Sequence, residues 1–182
     1  MLYYIHGYLS EPNSAKGTLF KQQLNAKAIK YRNCEPEDLV ISDCLNHIEK
    51  EIENDKNVVL IGSSLGGFLA AKTALEHSTV KQTILLNPAI IPPSYNISKL
   101  QGMPRRILQD IQDVRLFKEK IASEIFILIG TMDDLIPPNW PLEFAIAQKA
   151  TIRFLPDDHS FTYNLNQLPE IIGNILDKNI KK

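Results

Sequence analysis

Apolar residues along this chain fall into two alternating patterns. Short runs of β-branched and other apolar residues are typical of strands that are buried on both faces of a parallel sheet. Between most of these runs, apolar residues recur at helical spacing. The predicted strands are Leu2–Ile5, a run around Ala28–Tyr31, Val58–Ile61, Thr83–Leu86, Ile125–Ile129 and Thr151–Leu155. The predicted helices are Lys16–Leu24, Glu37–Glu53, Leu65–Glu76, Pro138–Ala147 and one from about Leu165 to Ile180.

The alternation of strands and helices predicts an α/β fold, with a mostly parallel sheet flanked by helices on both faces. A chain of 182 residues is expected to form one domain, spanning 1–182. Only the segment from 88 to about 121 departs from the alternation. It contains Pro92, Pro93 and Pro104 and ends in the amphipathic stretch RRILQDIQDVRLFKEKI, which is predicted to be helical. This segment is either a small lid over a site or a crossover helix with a long lead-in.

The stretch VVLIGSSLGGFLAA, residues 58–71, joins a predicted strand to a predicted helix. Its centre, Gly62-Ser63-Ser64-Leu65-Gly66, fits the G-x-S-x-G nucleophile elbow, in which the serine occupies a strained and exposed turn. In this register Ser64 is the candidate nucleophile and Ser63 is not. A phosphate-binding loop is disfavoured because neither the Walker lysine nor G-x-G-x-x-G is present. A purely structural turn remains open on the motif alone.

A serine nucleophile needs a general base, usually a histidine that a carboxylate orients. The elbow fold orders these residues along the chain as serine, then acid, then histidine. Of the four histidines, His6, His47, His77 and His159, only His159 comes late enough, in a loop just after the last predicted strand.

The candidate acid follows the fifth predicted strand in FILIGTMDDLIPP. Asp133 and Asp134 are adjacent, so we expect only one of them to face the serine. The pattern Gly-x-x-Asp-x-x-Ile-Pro favours Asp133, and Asp134 would then be a solvated or capping carboxylate. Asp157 and Asp158 are too close to His159 in sequence to orient its ring, so we expect them to cap the final turn or to hold the His159 loop.

A tetrahedral intermediate also requires two donors aimed at its oxyanion. The Leu65 N–H, directly after the nucleophile and at a helix N-terminus, is the first candidate. The second is the Tyr8 N–H, because His6-Gly7 ends the first predicted strand. We expect His6 to shape this loop rather than to act as the base. A simple turn at His6-Gly7 is the alternative, and the ordered serine, acid and histidine make it less favoured.

Composition narrows the range of functions further. A formal net charge of −1 gives no electrostatic basis for nucleic-acid binding, and no stretch has the length of a membrane span. The N-terminus lacks the basic and apolar regions of a secretory signal, so a cytoplasmic location is expected. Cys34 and Cys44 are therefore expected to be free thiols, and no zinc site is predicted.

The segments YYIHGYLSEPNSAK, IGSSLGGF, LLNPAIIP and DDHSF together resemble the YqiA-like family of small single-domain esterases in the α/β-hydrolase superfamily. The resemblance covers most of the chain and is weak from Pro93 to Glu119. It implies a catalytic Ser64 and His159, an aspartate in the 133–134 loop, and an oxyanion hole formed by the His-Gly loop. It also implies a minimal sheet of about six strands, all or nearly all parallel, without the two strands that precede the oxyanion strand in larger relatives.

The leading hypothesis is therefore a serine hydrolase of small-molecule carboxylic esters or thioesters, acting through an acyl-enzyme without a metal or an organic cofactor. Ser64 would attack, His159 would transfer the proton, and Asp133 would fix the imidazole tautomer. An acyltransferase with the same triad and a non-catalytic binding protein of this fold are the alternatives. The acyl chain length and the oligomeric state are not encoded in these patterns.

Overall fold

The computed structural model describes the backbone of residues 1–180 and the side chains of residues 1–177. Six strands form one sheet in the order β2-β1-β3-β4-β5-β6, and every neighbouring pair is parallel. The strands are β1 (Leu2–Ile5), β2 (Lys27–Ile29), β3 (Val58–Ser63), β4 (Val80–Leu86), β5 (Glu124–Gly130) and β6 (Thr151–Leu155). The predicted parallel sheet of about six strands is confirmed.

Helices cover both faces of the sheet, as the α/β alternation predicts. They are α1 (Ala15–Leu24), α2 (Ile41–Ile52), α3 (Leu65–Glu76), α4 (Arg105–Ile111), α5 (Arg115–Lys118), α6 (Asn139–Gln148) and α7 (Leu168–Ile180). Helices α1 and α7 pack on one face through residues such as Phe20 and Ile172. Helices α2 to α6 pack on the other face through residues such as Ile48, Phe68 and Phe144. The core is therefore two apolar layers that the sheet separates.

Several predicted elements have different boundaries in the structure, among them β4, which begins at Val80 rather than Thr83. The helix predicted from Glu37 begins at Ile41, after a short 3₁₀ turn at Pro36–Asp38 and an extended Leu39 whose side chain is buried in the core. The strand predicted around Ala28–Tyr31 is Lys27–Ile29, and Tyr31 is buried beyond its end. In both places a side chain that lies outside the regular element, Leu39 or Tyr31, is buried in the core.

The segment from 88 to 121 is packed onto the α3–α6 face, and its predicted helix is divided into α4 and α5. The break falls at Gln112, whose amide Nε2 donates to the carbonyls of Pro92 at 2.9 Å and Tyr95 at 2.8 Å. This side chain ties the proline-rich lead-in to the helices that follow it. A small lid and a crossover helix with a long lead-in both stay predictions for this segment.

Cys34 is exposed and Cys44 is buried, and both are free thiols as expected. Burial raises the pKa of the Cys44 thiol to about 12, so it carries no thiolate at neutral pH. Among residues 1–180, none of the helices combines the length and the apolar character that crossing a bilayer requires.

Candidate active site

Ser64 lies in a sharp turn between β3 and α3, with φ 54° and ψ −119°. A positive φ is costly for a non-glycine residue, and such strain persists only where the surroundings enforce it. Here the Ser64 N–H donates to the Leu86 carbonyl at 2.9 Å, and the Ser64 carbonyl accepts from the Ala89 N–H at 3.0 Å. Gly66 lets the turn approach β1 closely, because a Cβ at this position would overlap the Ile5 carbonyl. The main chain around β4 thus maintains the strained turn.

His159 and Asp133, which lie 26 residues apart in sequence, meet at the carboxyl edge of the sheet. Nδ1 of His159 is 2.8 Å from Oδ2 of Asp133, whose side chain is almost fully buried. The other carboxylate oxygen, Oδ1, accepts from the N–H groups of Leu135 at 2.9 Å and Ile136 at 3.0 Å. Asp134 is exposed. Of the two adjacent aspartates, Asp133 is therefore the one in contact with the histidine.

Asp157 is fully buried and organises the loop that carries His159. Its Oδ1 accepts from the N–H groups of Asp158 and Tyr163, at 2.9 and 3.1 Å. Its Oδ2 accepts from the N–H of Asn164 at 2.8 Å and from that residue's amide nitrogen at 2.7 Å. Four donors to one carboxylate close the loop on itself, which is the structural role expected for this residue.

The loop of residues 7–11, which is predicted to supply an oxyanion donor and is called the oxyanion loop below, lies directly against the serine. A Cβ built on Gly7 would be 3.4 Å from the Cβ of Ser64. The Gly7 carbonyl accepts from the Tyr31 hydroxyl at 3.2 Å and lies 2.9 Å from Nδ1 of His6. A trans peptide directs its C=O and N–H to opposite sides, and none of the described peptide bonds is cis. Fixing the Gly7 carbonyl therefore directs the Tyr8 N–H away from Tyr31.

Arg32 holds the outer part of the oxyanion loop from a nearly buried position. Its guanidinium donates to the carbonyls of Ser10 at 2.8 Å, Tyr8 at 3.3 Å and Cys34 at 2.8 Å. It also pairs with Glu11 at 3.1 Å. Sequence reasoning did not identify Arg32. Its position just after β2, at the carboxyl edge of the sheet, is the signal that could have indicated it.

His6 is fully buried and stacks on Tyr31, with ring centroids 4.3 Å apart. Desolvation is the main cause that lowers the pKa of its imidazole. A buried, neutral imidazole that contacts its own loop fits the expected loop-shaping role. His47 is exposed on α2, and His77 lies at the end of α3 near Glu49; neither is among the residues that line the cavity with Ser64.

Ser64, His159, Gly7 and Tyr8 line one cavity of about 500 Å³. Most of its wall is apolar and comes from the 88–111 segment and α6, with Ile91, Leu100, Met103, Leu108, Ile111 and Trp140. Lys16 lies at the polar rim and donates to the Ser160 carbonyl at 2.7 Å. Among the described residues, His, Cys, Asp and Glu side chains form no cluster that could hold a metal ion.

Solved structures share this architecture at low sequence identity. Est1E from Butyrivibrio proteoclasticus superposes with a TM-score of 0.81 at 17% identity, covering 100% of this chain and 88% of that one. Mouse alpha/beta hydrolase domain-containing protein 10 gives a TM-score of 0.77 at 16% identity, with 97% and 89% of the two chains covered. Monoacylglycerol lipase from Paleococcus ferrophilus gives 0.75 at 15% identity, with 96% and 93% covered.

The fold is therefore that of the α/β hydrolases. A search of curated proteins returned no match. Residues 1–174 match the profile of the uncharacterised protein family UPF0227. The chain belongs to this family, the YqiA family, as its elbow and loop motifs indicated.

Proposed function

We propose that this protein is a serine hydrolase that cleaves carboxylic esters or thioesters through a Ser64-His159-Asp133 triad. The observation that carries the proposal is the 2.8 Å contact between Asp133 and His159, on a loop that shares one cavity with the strained Ser64. An ordinary surface turn has no need of a non-glycine residue at positive φ beside a carboxylate-bound histidine. The named esterase and lipase among the structures of the same fold add support.

In the proposed reaction, Ser64 Oγ attacks the acyl carbon while Nε2 of His159 takes its proton. Asp133 accepts from Nδ1 and so selects the tautomer whose Nε2 is free to act as the base. The carbonyl oxygen becomes an oxyanion, which the N–H groups of Tyr8 and Leu65 stabilise. The imidazolium then protonates the leaving alcohol or thiol, and water, activated by the same histidine, releases the acid and restores the serine.

The apolar wall of the cavity favours substrates whose acyl group is apolar. A cavity of about 500 Å³ is within the range of small-molecule sites. Est1E of Butyrivibrio proteoclasticus has also been solved with ferulic acid bound, at a TM-score of 0.80 and 18% identity to this chain. A compact acyl group that carries an apolar body is the substrate class this cavity suits.

Labelling by a fluorophosphonate, together with a panel of acyl esters of graded chain length, tests the proposal. We expect the wild-type protein to be labelled and to turn over part of the panel. We expect Ser64→Ala to lose both properties, by about 10⁴-fold or more in turnover, while Ser63→Ala keeps them. A folded wild-type protein that is neither labelled nor active would overturn the proposal and favour a binding protein. Labelling with ester consumption only when an acyl acceptor is added would indicate acyl transfer instead.

A further inference from the structure

Asn87 lies where the loops of the candidate site meet. It follows β4 directly, is 1% exposed and has φ 43°, a conformation that asparagine tolerates better than most residues. Its amide Nδ2 donates to the carbonyls of Asp158 at 3.2 Å and His159 at 3.1 Å. Its Oδ1 accepts from the Gly130 N–H at 2.8 Å. Both polar atoms of this buried side chain are therefore engaged by main-chain groups of the acid and base loops.

The residues around Asn87 also contact the nucleophile turn. On one side, the Leu86 carbonyl accepts from the Ser64 N–H, and on the other the Ala89 N–H donates to the Ser64 carbonyl. Pro88 fills the space beside Gly67, where a Cβ would come within 2.7 Å of the proline ring. The Asn87-Pro88-Ala89 segment thus contacts the main chain of Ser64, of His159 and of Gly130 at the end of β5, although it supplies none of the reacting atoms.

The acid and base loops leave little room for adjustment at this point. The Thr131 N–H donates to the Leu155 carbonyl and the Met132 N–H to the Asp157 carbonyl, both at 2.8 Å. A Cβ on Gly130 would lie 2.6 Å from the carbonyl oxygens of Asp157 and Asp158. Because the two loops are this closely apposed, we expect a change in the Asn87 side chain, which contacts both of them, to displace the main chain of His159.

We infer that Asn87 is a positioning residue, whose carboxamide sets the His159 main chain relative to the end of β5 so that the imidazole is held against Asp133, in the cavity that Ser64 also lines. The side chain is suited to this role because a carboxamide presents donors and an acceptor on one short stem. The inference rests on the proposed triad. It differs from a purely structural role, which would lower the stability of the protein without changing the catalytic geometry.

Two substitutions and one control separate these roles. Asn87→Gly removes the carboxamide and tolerates the positive φ. Asn87→Asp keeps the size and the acceptor for Gly130, but places a carboxylate oxygen against two carbonyl oxygens. The control is Thr83→Val in β4, the strand that Asn87 follows. It breaks the buried hydrogen bond between the hydroxyls of Thr83 and Ser123, 2.9 Å apart, and neither residue lines the cavity.

The kinetic readout is kcat and KM per active site, titrated with the fluorophosphonate. We expect both Asn87 variants to lose about 10- to 100-fold in kcat, because a displacement of about 1 Å has an effect of this size. KM should stay within about threefold, and Thr83→Val should change neither constant by more than that. Equal kcat for Asn87→Gly and Thr83→Val would overturn the inference. A wild-type kcat in Asn87→Asp would also overturn it, because the hydrogen bond with the Gly130 N–H would then be sufficient and the donors to Asp158 and His159 would not be needed.

A second readout needs no activity. An imidazole N–H that is bonded to a carboxylate gives a far-downfield proton resonance, which His159→Gln assigns by its loss. We expect the wild type to show this resonance and Ser64→Ala and Thr83→Val to retain it. In both Asn87 variants we expect it to shift or broaden. An unchanged resonance in the Asn87 variants would overturn the inference. A wild-type protein that shows the resonance but is neither labelled nor active would disprove the proposed function. The spectra of the Asn87 variants would still decide whether Asn87 positions the His159–Asp133 pair.

Discussion

The two halves of the candidate site are held in place by different means. The oxyanion loop is held from outside by the side chains of His6, Tyr31 and Arg32, which contact its carbonyl groups. The loops that carry Asp133 and His159 are held by main-chain hydrogen bonds from the residues after β5 to the end of β6 and the loop after it, and by two buried polar side chains, Asn87 and Asp157. The direction of a main-chain N–H, such as that of Tyr8, depends on the orientation of its own peptide. The position of a side-chain base, such as His159, depends on the position of the whole loop that carries it.

The halves also differ in how completely their buried polar atoms are paired. Asp157 accepts four hydrogen bonds, and Asn87 uses both of its polar atoms. On the oxyanion side, Nε2 of His6 and Nε of Arg32 are among the described buried atoms that lack a partner. A buried polar atom without a hydrogen-bond partner costs free energy. The acid and base half would supply the proton-transfer groups, whereas the other half would supply only one of two oxyanion donors. We expect substitutions in the oxyanion half to have smaller effects on rate.

The largest effect is expected in the acid and base half. Asp133→Asn should lower kcat by about 10⁴-fold, because an amide cannot enforce the tautomer of His159 that leaves Nε2 free. Steady-state kinetics on the best ester of the panel measures this. Asp134→Asn is the matched control, because this exposed carboxylate does not contact the histidine, and it should remain within a few-fold of wild type. The reverse ranking would contradict the observed pairing.

Arg32→Met should lower kcat by about 10- to 100-fold with little change in KM. Complete loss of one oxyanion donor lowers kcat by about 10²- to 10³-fold, and a displaced loop would weaken the Tyr8 donor only in part. The substitution should also lower the free energy of unfolding by about 1–3 kcal/mol, since the Ser10 and Cys34 carbonyls lose their donor. Kinetics and urea denaturation measure the two effects. Arg115→Met, at an exposed arginine paired with Glu119, should leave kcat unchanged. A loss of 10⁴-fold for Arg32→Met would remove the distinction between the halves.

Tyr31→Phe should have a smaller effect, about two- to tenfold in kcat, because it removes one hydrogen bond to the Gly7 carbonyl and keeps the ring that stacks on His6. Titrated turnover on the same ester is the measurement. Tyr163→Phe, at an exposed tyrosine, is the matched control. No change in Tyr31→Phe would mean that His6 and the Ser10 N–H suffice to orient the Gly7–Tyr8 peptide.

The smallest effect is on the pH dependence of stability. Burial lowers the pKa of His6 from 6.5, so below pH 6.5 the unfolded chain binds a proton that the folded protein excludes. The free energy of unfolding should therefore fall as the pH drops below 6.5, by at most about 1.4 kcal/mol per pH unit from this residue. Urea denaturation at several pH values should show a shallower fall in His6→Gln. His47→Gln, at an exposed histidine, should keep the slope of the wild type.

The regular elements follow from local pattern, and the order of the proposed triad follows from the elbow motif. Runs such as Val58–Ile61 and the helical spacing after Ser64 predict the strand and helix of the elbow, because each pattern reflects which faces must be buried. The pattern fails where a contact distant in sequence intervenes. Gln112 interrupts a helix that its own stretch favours, because its amide binds the Pro92 and Tyr95 carbonyls.

By itself, the sequence determined the α/β class, the elbow register at Ser64 and a short set of candidates for the acid and base. Only the tertiary structure decided that Asp133 meets His159, that Arg32 and Tyr31 orient the oxyanion loop, and that Asn87 joins the ends of β4 and β5 to the base loop. The physical reason is the separation along the sequence of the residues that interact. Periodicity is read within one element, whereas a buried polar side chain finds its partners on strands that become neighbours only when the sheet forms.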